Sequence, residues 1–227
     1  MMGGATGKKA LAGMGLGILM AACRGAEGSA LGPAATAPSA SLKVGADGST
    51  NAAPAKGSAG MAAAAAALAA ATLEEDGVAF VHAAGTTFRW KGWLDVYDVE
   101  LRLGPGTLRE KPLAGGAVRL EFKYHRPFSA KQVADGGNAL LEKNVTPDEW
   151  KALQPSLERL NRAYVSVQPG DRYTLTHVPG RGLTLRLNGK PLVTVEGDDF
   201  GSKYLRIWLG KEPIHKGLRD RLLGGAG

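Results

Sequence analysis

The side chains able to do chemistry are few in this 227-residue chain, and most lie far apart. His82, His125, His177 and His215 are separated by at least 38 residues, with no local metal-ligand spacing, so a metal site would require convergence in the fold. Ser129 has no GxSxG context and reads as a helix cap rather than a nucleophile. Gly180-Arg181-Gly182 lies between two strand-like runs, without the strand-to-helix setting of a phosphate loop. Asp198 and Asp199 precede Phe200 at a predicted helix start, where carboxylates cap the chain and complement its dipole. Asn144-Val145-Thr146 matches a glycosylation sequon, but Thr146 already serves as a cap. The single Cys excludes an intramolecular disulfide, Cys-rich zinc sites and Cys-X-X-Cys redox chemistry.

Charge adds little to this inventory. The formal net charge is +7, but residues 1–72 hold five Lys or Arg against two acids, which leaves +4 for the remainder. Those charges are interspersed, and the densest basic stretch, Lys216 to Arg221, also contains Asp220. A nucleic-acid binder concentrates Lys and Arg on one face, so a solvated surface is the better reading.

Cys23 has a more specific context. Lys8 and Lys9 precede the apolar run of residues 10–22, which ends directly at Cys23. Such a run would rise about 20 Å as a helix, short of the ~30 Å hydrocarbon core, so a signal peptide over residues 1–22 is expected rather than a spanning helix. Leu19-Met20-Ala21-Ala22-Cys23 resembles the lipobox of bacterial lipoproteins, with Met20 where Leu is usual. Lipidation of Cys23 and export to the periplasmic side of a bacterial membrane follow from that resemblance. Ordinary secretory cleavage to a soluble periplasmic protein and an uncleaved anchor stay open.

These groups must be positioned by a core, and the core starts late. No Phe, Trp or Tyr precedes Phe80, and residues 23–72 are rich in Ala, Gly, Pro and Ser, the composition of a flexible tether. Within it, residues 61–75 are able to form one or more helical turns. Residues 73–227 suffice for one domain. Strand patterns run through VAFVH, TTFRWKG and WLDVYDVELRL, where alternation breaks once around Tyr97 and Asp98. Val118, Leu120, Phe122 and Tyr124 share one face of a further strand.

Ser129 and Gln132 predict a capping box, with Phe128 and Val133 as a hydrophobic staple. Gly136 and Gly137 weaken the helix that follows unless something approaches its backbone closely. Thr146, Pro147 and Glu149 open a second helix, which Pro155 is expected to kink or divide. RYTLTHV, LTLRL and PLVTVEG are strands, the last two joined by an Asn188-Gly189 hairpin turn. A helix carrying Phe200, Tyr204, Ile207 and Trp208 on one stripe and a short terminal helix complete an α+β pattern.

FKYHRPFSAKQV, the Asn188-Gly189 turn, the Asp199-Phe200 pair, IWLG ending at Gly210 and the final LLG resemble the chalcone isomerase-like family, its bacterial branch in particular. The resemblance covers residues 77–224. It implies an open-faced β-sandwich, a large antiparallel sheet with helices packed on one face and a ligand cleft between them. It also implies one of three functions: a non-catalytic domain binding a small amphipathic carboxylate such as a fatty acid, an intramolecular lyase or isomerase of chalcone-flavanone type, or a structural lipoprotein with a filled cleft. No cofactor and no metal are implied, and the expected partners are a small amphipathic or aromatic ligand and, through the lipid, a membrane.

In the resemblance Arg89 occupies the position of the family's strand arginine, and Tyr97 that of a second polar site residue. A guanidinium beside an apolar cleft can hold a carboxylate bidentately or stabilise a phenolate or enolate. The isomerase alternative rests on the same two residues. Phe128 and Ile207, with Asp135, fall where the enzymes carry hydroxyl and amide groups. Apolar Phe128 and Ile207 cannot donate hydrogen bonds to an oxyanion, which favours ligand binding over catalysis.

Overall fold

The computed structural model describes residues 72–225. The expected signal segment, Cys23 and its lipobox, and the tether as far as residue 71 lie outside the described residues. The remainder forms seven strands in one antiparallel sheet whose spatial order equals the chain order. They are β1 (Thr72–Glu75), β2 (Val78–Trp90), β3 (Leu94–Leu103), β4 (Val118–Tyr124), β5 (Arg172–Val178), β6 (Gly182–Leu187) and β7 (Lys190–Val195). Five helices accompany them: α1 (Ala130–Glu142) and α2 (Pro147–Ala163) between β4 and β5, then α3 (Asp198–Tyr204), α4 (Arg206–Leu209) and α5 (Lys216–Leu223) after β7.

Local chemistry explains most of the boundaries. Asn188-Gly189 turns β6 into β7 with φ values of 51° and 82°, and Asp76-Gly77 turns β1 into β2 with 51° and 69°. Two successive left-handed residues give the hairpin geometry that matches strand twist, and glycine reaches it without steric cost. Ser129 and Gln132 form a reciprocal capping box at α1, as do Thr146 and Glu149 at α2. Each box satisfies two backbone donors that the first turn leaves without partners.

The structure departs from the sequence reading at four places. Residues 72–75 are strand β1 rather than a helical turn, because Glu75 is drawn into an ion-pair cluster on the sheet. The two runs at 78–90 are one long strand. Pro155 does not divide α2 into two elements; it lies on the exposed side, where the carbonyl it deprives of a donor, that of Lys151, is near solvent. The expected carboxylate cap of α3 is also absent: Gly197 is the N-cap with no side-chain cap bond, and Asp199 pairs instead with Lys203 at 3.1 Å.

Strand register sorts the sheet into two faces. Tyr97, Val99, Leu101 and Leu103 pair with Tyr124, Phe122, Leu120 and Val118, and Tyr173 and Leu175 continue the same rows on β5. This face lies under the helices and holds the core. On the other face Glu100 opposes Glu121 and Arg102 opposes Arg119, with Thr174 and Thr176 continuing the rows on β5 and Arg186 and Thr184 on β6. The sheet curls until β1 lies across that face. Glu75 there meets Arg119 and Arg186, each at 3.2 Å, and accepts a hydrogen bond from Thr176. Asp76 adds a 2.6 Å pair with Arg186.

Candidate functional site

Between the sheet and the helices lies a cavity of about 50 Å³. The sheet supplies one wall through β3 to β6, and α1 with α3 and α4 supplies the other. All five tyrosines of the protein line it: Tyr97, Tyr124, Tyr164, Tyr173 and Tyr204. Three of the expected site residues meet here, since Tyr97, Phe128 and Ile207 are all in its wall. Val96 joins Tyr97 because β3 carries one extra residue opposite the Phe88-Arg89 step, a bulge that turns both side chains inward.

Hydrogen bonding in the wall is nearly complete without any charge. Trp208 Nε1 donates to Tyr97 Oη at 3.2 Å, and the Tyr164 and Tyr204 hydroxyls pair at 2.8 Å. Tyr173 Oη donates to the Val165 carbonyl at 2.6 Å and accepts from its N–H at 2.8 Å. Burial holds these phenols neutral. It pushes the Tyr204 hydroxyl up to about 12, and it raises Tyr97 far above the usual phenol range despite the bond from Trp208. Gly137 of α1 is explained by the same wall. A Cβ on Gly137 would stand 2.6 Å from Tyr204 Oη, so the close approach anticipated from sequence is that of a tyrosine.

Arg89 stands elsewhere. The bulge brings it opposite Asp95, to which its Nε donates at 2.6 Å, and its side chain is 58% exposed. It borders an open cleft of about 490 Å³ with Thr86, Thr87, Phe88, His215 and Arg221, formed where α5 packs on β2. Arg221 Nε donates to Thr86 Oγ1 at 2.8 Å. His215 Nδ1 accepts the Leu218 N–H at 3.2 Å as the N-cap of α5, which leaves Nε2 as the ring's donor. No sequence signal had joined His215 and Arg221 to Arg89, since they are more than a hundred residues away in the chain.

The cleft and the cavity share a wall of two rings. Phe88 lines the cleft, Tyr97 lines the cavity, and their centroids are 5.2 Å apart. Asp135 takes part in neither; it pairs with Lys131 at 2.7 Å along α1. The sequon is likewise occupied structurally: Asn144 Nδ2 donates to the carbonyls of Leu140 and Glu212. His177 is buried with Nδ1 3.2 Å from the Gly182 carbonyl, and His125 pairs with Asp98 at 3.0 Å. Among the described residues no group of three or more His, Cys, Asp or Glu comes together to hold a metal ion.

Comparison with known proteins accords with this architecture. The crystal structure of an Arabidopsis thaliana fatty-acid binding protein superposes with a TM-score of 0.51 at 14% sequence identity, covering 67% of this chain and 89% of that one. At that identity the likeness is one of fold. No individually curated protein sequence matches the chain. The profile described as chalcone isomerase-like matches residues 66–224, and with well over half its length inside that match the chain belongs to the chalcone isomerase-like family.

Proposed function

We propose that this domain binds a small amphipathic carboxylate such as a fatty acid and does not turn it over. The observation that carries the reading is the adjacency of an uncharged, tyrosine-lined cavity and a cationic cleft across the Phe88-Tyr97 wall. Arg89 holds the carboxylate in the cleft, and the apolar part passes Phe88 and Tyr97 to lie between sheet and helices against Phe128 and Ile207. The fatty-acid binding relative of the same fold supports this assignment. So does the chemistry of the wall, where Phe128 and Ile207 offer no donor to a developing oxyanion.

Ligand sites commonly measure roughly 300–1,000 Å³, so a cavity of about 50 Å³ must widen on binding. Trp208, half-buried in the wall and attached by one hydrogen bond to Tyr97, is the side chain best placed to swing. The molecule is delivered outside the cytoplasm and tethered through lipidated Cys23. Its N-terminal sequence supports this placement.

The test is mass spectrometry of the organic extract from the purified full chain and from its Arg89→Ala variant. A stoichiometric acid present in the first and depleted in the second is expected. A wild-type extract with no such acid, together with chalcone cyclisation that depends on Arg89, would replace binding with catalysis. An extract with no acid and no turnover would favour the structural role.

A further inference from the structure

Four of the five cavity tyrosines spend their hydroxyls on protein partners: Tyr97 on Trp208, Tyr164 and Tyr204 on each other, and Tyr173 on Val165. Tyr124 does not. Its side chain is nine-tenths buried between Tyr97, Phe128 and Tyr173, with ring centroids 5.9, 5.6 and 6.0 Å away. It lines the cavity, no hydrogen bond among the described residues reaches its Oη, and that atom is not one of the buried unpaired ones, so it faces space that a water or a ligand can enter. A phenylalanine would supply the same ring contacts, so what the hydroxyl adds is a donor and acceptor facing that space.

We propose that Tyr124 is a ligand-binding residue, and that the molecule taken into this cavity carries an oxygen function on its buried part, a hydroxyl or a keto group, which hydrogen-bonds Tyr124 Oη. The preferred ligand class is thus an oxygenated amphipathic acid rather than a plain alkyl one. The inference rests on the binding reading given above and specifies the substrate class of the same site. Geometry limits where the oxygen falls. The path from the cleft runs past Phe88, Tyr97 and Tyr124, whose successive centroid separations are 5.2 and 5.9 Å, so the second polar point lies well inside the ligand and not beside its carboxylate.

Calorimetric titration of the full chain tests this with dodecanoic acid and a panel of hydroxydodecanoic acids bearing the hydroxyl at successive chain positions. One position in the panel should bind wild type about 3–10-fold more tightly than dodecanoic acid, the worth of one net hydrogen bond. Tyr124→Phe should erase that preference while leaving dodecanoic acid bound at least as well. Asp135→Asn, at a residue that lines neither cavity nor cleft, should retain the preference.

Equal affinity across the panel in wild type would mean that water alone serves the Tyr124 hydroxyl, and the inference fails while the binding reading stands. A preference that survives in Tyr124→Phe overturns it equally. If neither wild type nor Tyr124→Phe binds any acid, the binding reading itself has failed and the inference goes with it.

Discussion

The two faces of the sheet bury polar groups by opposite means. Under the helices the polar atoms are phenols, neutral, mostly paired with one another or with backbone, and set in an apolar wall. Across the other face they are full charges, closed over by β1. There Arg119, only 6% exposed, is shared between Glu75 and Glu121, and like charges opposite one another in the register are offset by opposite charges two residues along. A phenol can leave its partner for a ligand at modest cost, whereas a buried ion cannot. On the binding reading proposed above, the uncharged face is the one suited to exchanging contacts with a ligand, while ion pairs of Glu75 and Asp76 hold β1 over the charged face.

Breaking the charged face should have the largest effect. Arg119→Ala removes the partner that Glu75 and Glu121 share but leaves each a second arginine, Arg186 or Arg172, so a loss of about 3 kcal/mol in urea unfolding is expected. pH should separate the faces. Tyr204 is raised in the folded protein from 10 to about 12, so the stability from its neutral form is complete below pH 10 and is lost as pH climbs towards 12. That loss amounts to roughly 3 kcal/mol, readable as a falling denaturation midpoint. Glu121 responds at the acid end. Burial pushes its carboxyl up, but hydrogen bonds from Arg119 and Arg172 outweigh that and hold it below its usual 4.5. Its contribution is present above pH 4.5 and disappears as pH falls through the lowered value.

Two smaller effects sharpen the contrast. Gly137→Ala drives a methyl against Tyr204 Oη and should cost about 1–2 kcal/mol by overpacking, even though Ala is the better helix former. Tyr204→Phe in the same chain should recover most of it, as a double-mutant cycle in thermal melts would read. Arg89→Ala should move stability by less than about 1 kcal/mol, because its ion pair with Asp95 is exposed. Its effect should appear instead in the binding of dodecanoate, weakened relative to dodecanol.

Legibility followed the range of the interactions. Both capping boxes and the Asn188-Gly189 turn were readable because every participant lies within a few residues. Asp76-Gly77 carries the same signal, yet β1 escaped notice because the strand has only four residues, and what holds them is Arg119 and Arg186, far along the sequence. Tyr97, Phe128 and Ile207 were found through the family resemblance and do converge on one cavity. The break in alternation near Tyr97 marked the β3 bulge, but not its consequence. The extra residue turns Val96 inward beside Tyr97 and sets Asp95 opposite Arg89, while the ordinary alternation of β2 directs Arg89 away from the face that Phe88 occupies. Tyr124 gave no signal of its own beyond a place on an apolar strand face, since an unpaired hydroxyl is visible only once every neighbour is in position.

Because sheet order equals chain order, each strand pairs with the one synthesised before it. Hairpins of this kind close small loops, so the entropy lost before each new pairing is low and β1 to β4 can assemble in sequence as the chain emerges. The delay falls between β4 and β5, where α1 and α2 intervene, and it leaves the hydrogen-bonding edge of β4 open until β5 arrives. That interval is when this domain is most exposed to pairing with the wrong chain.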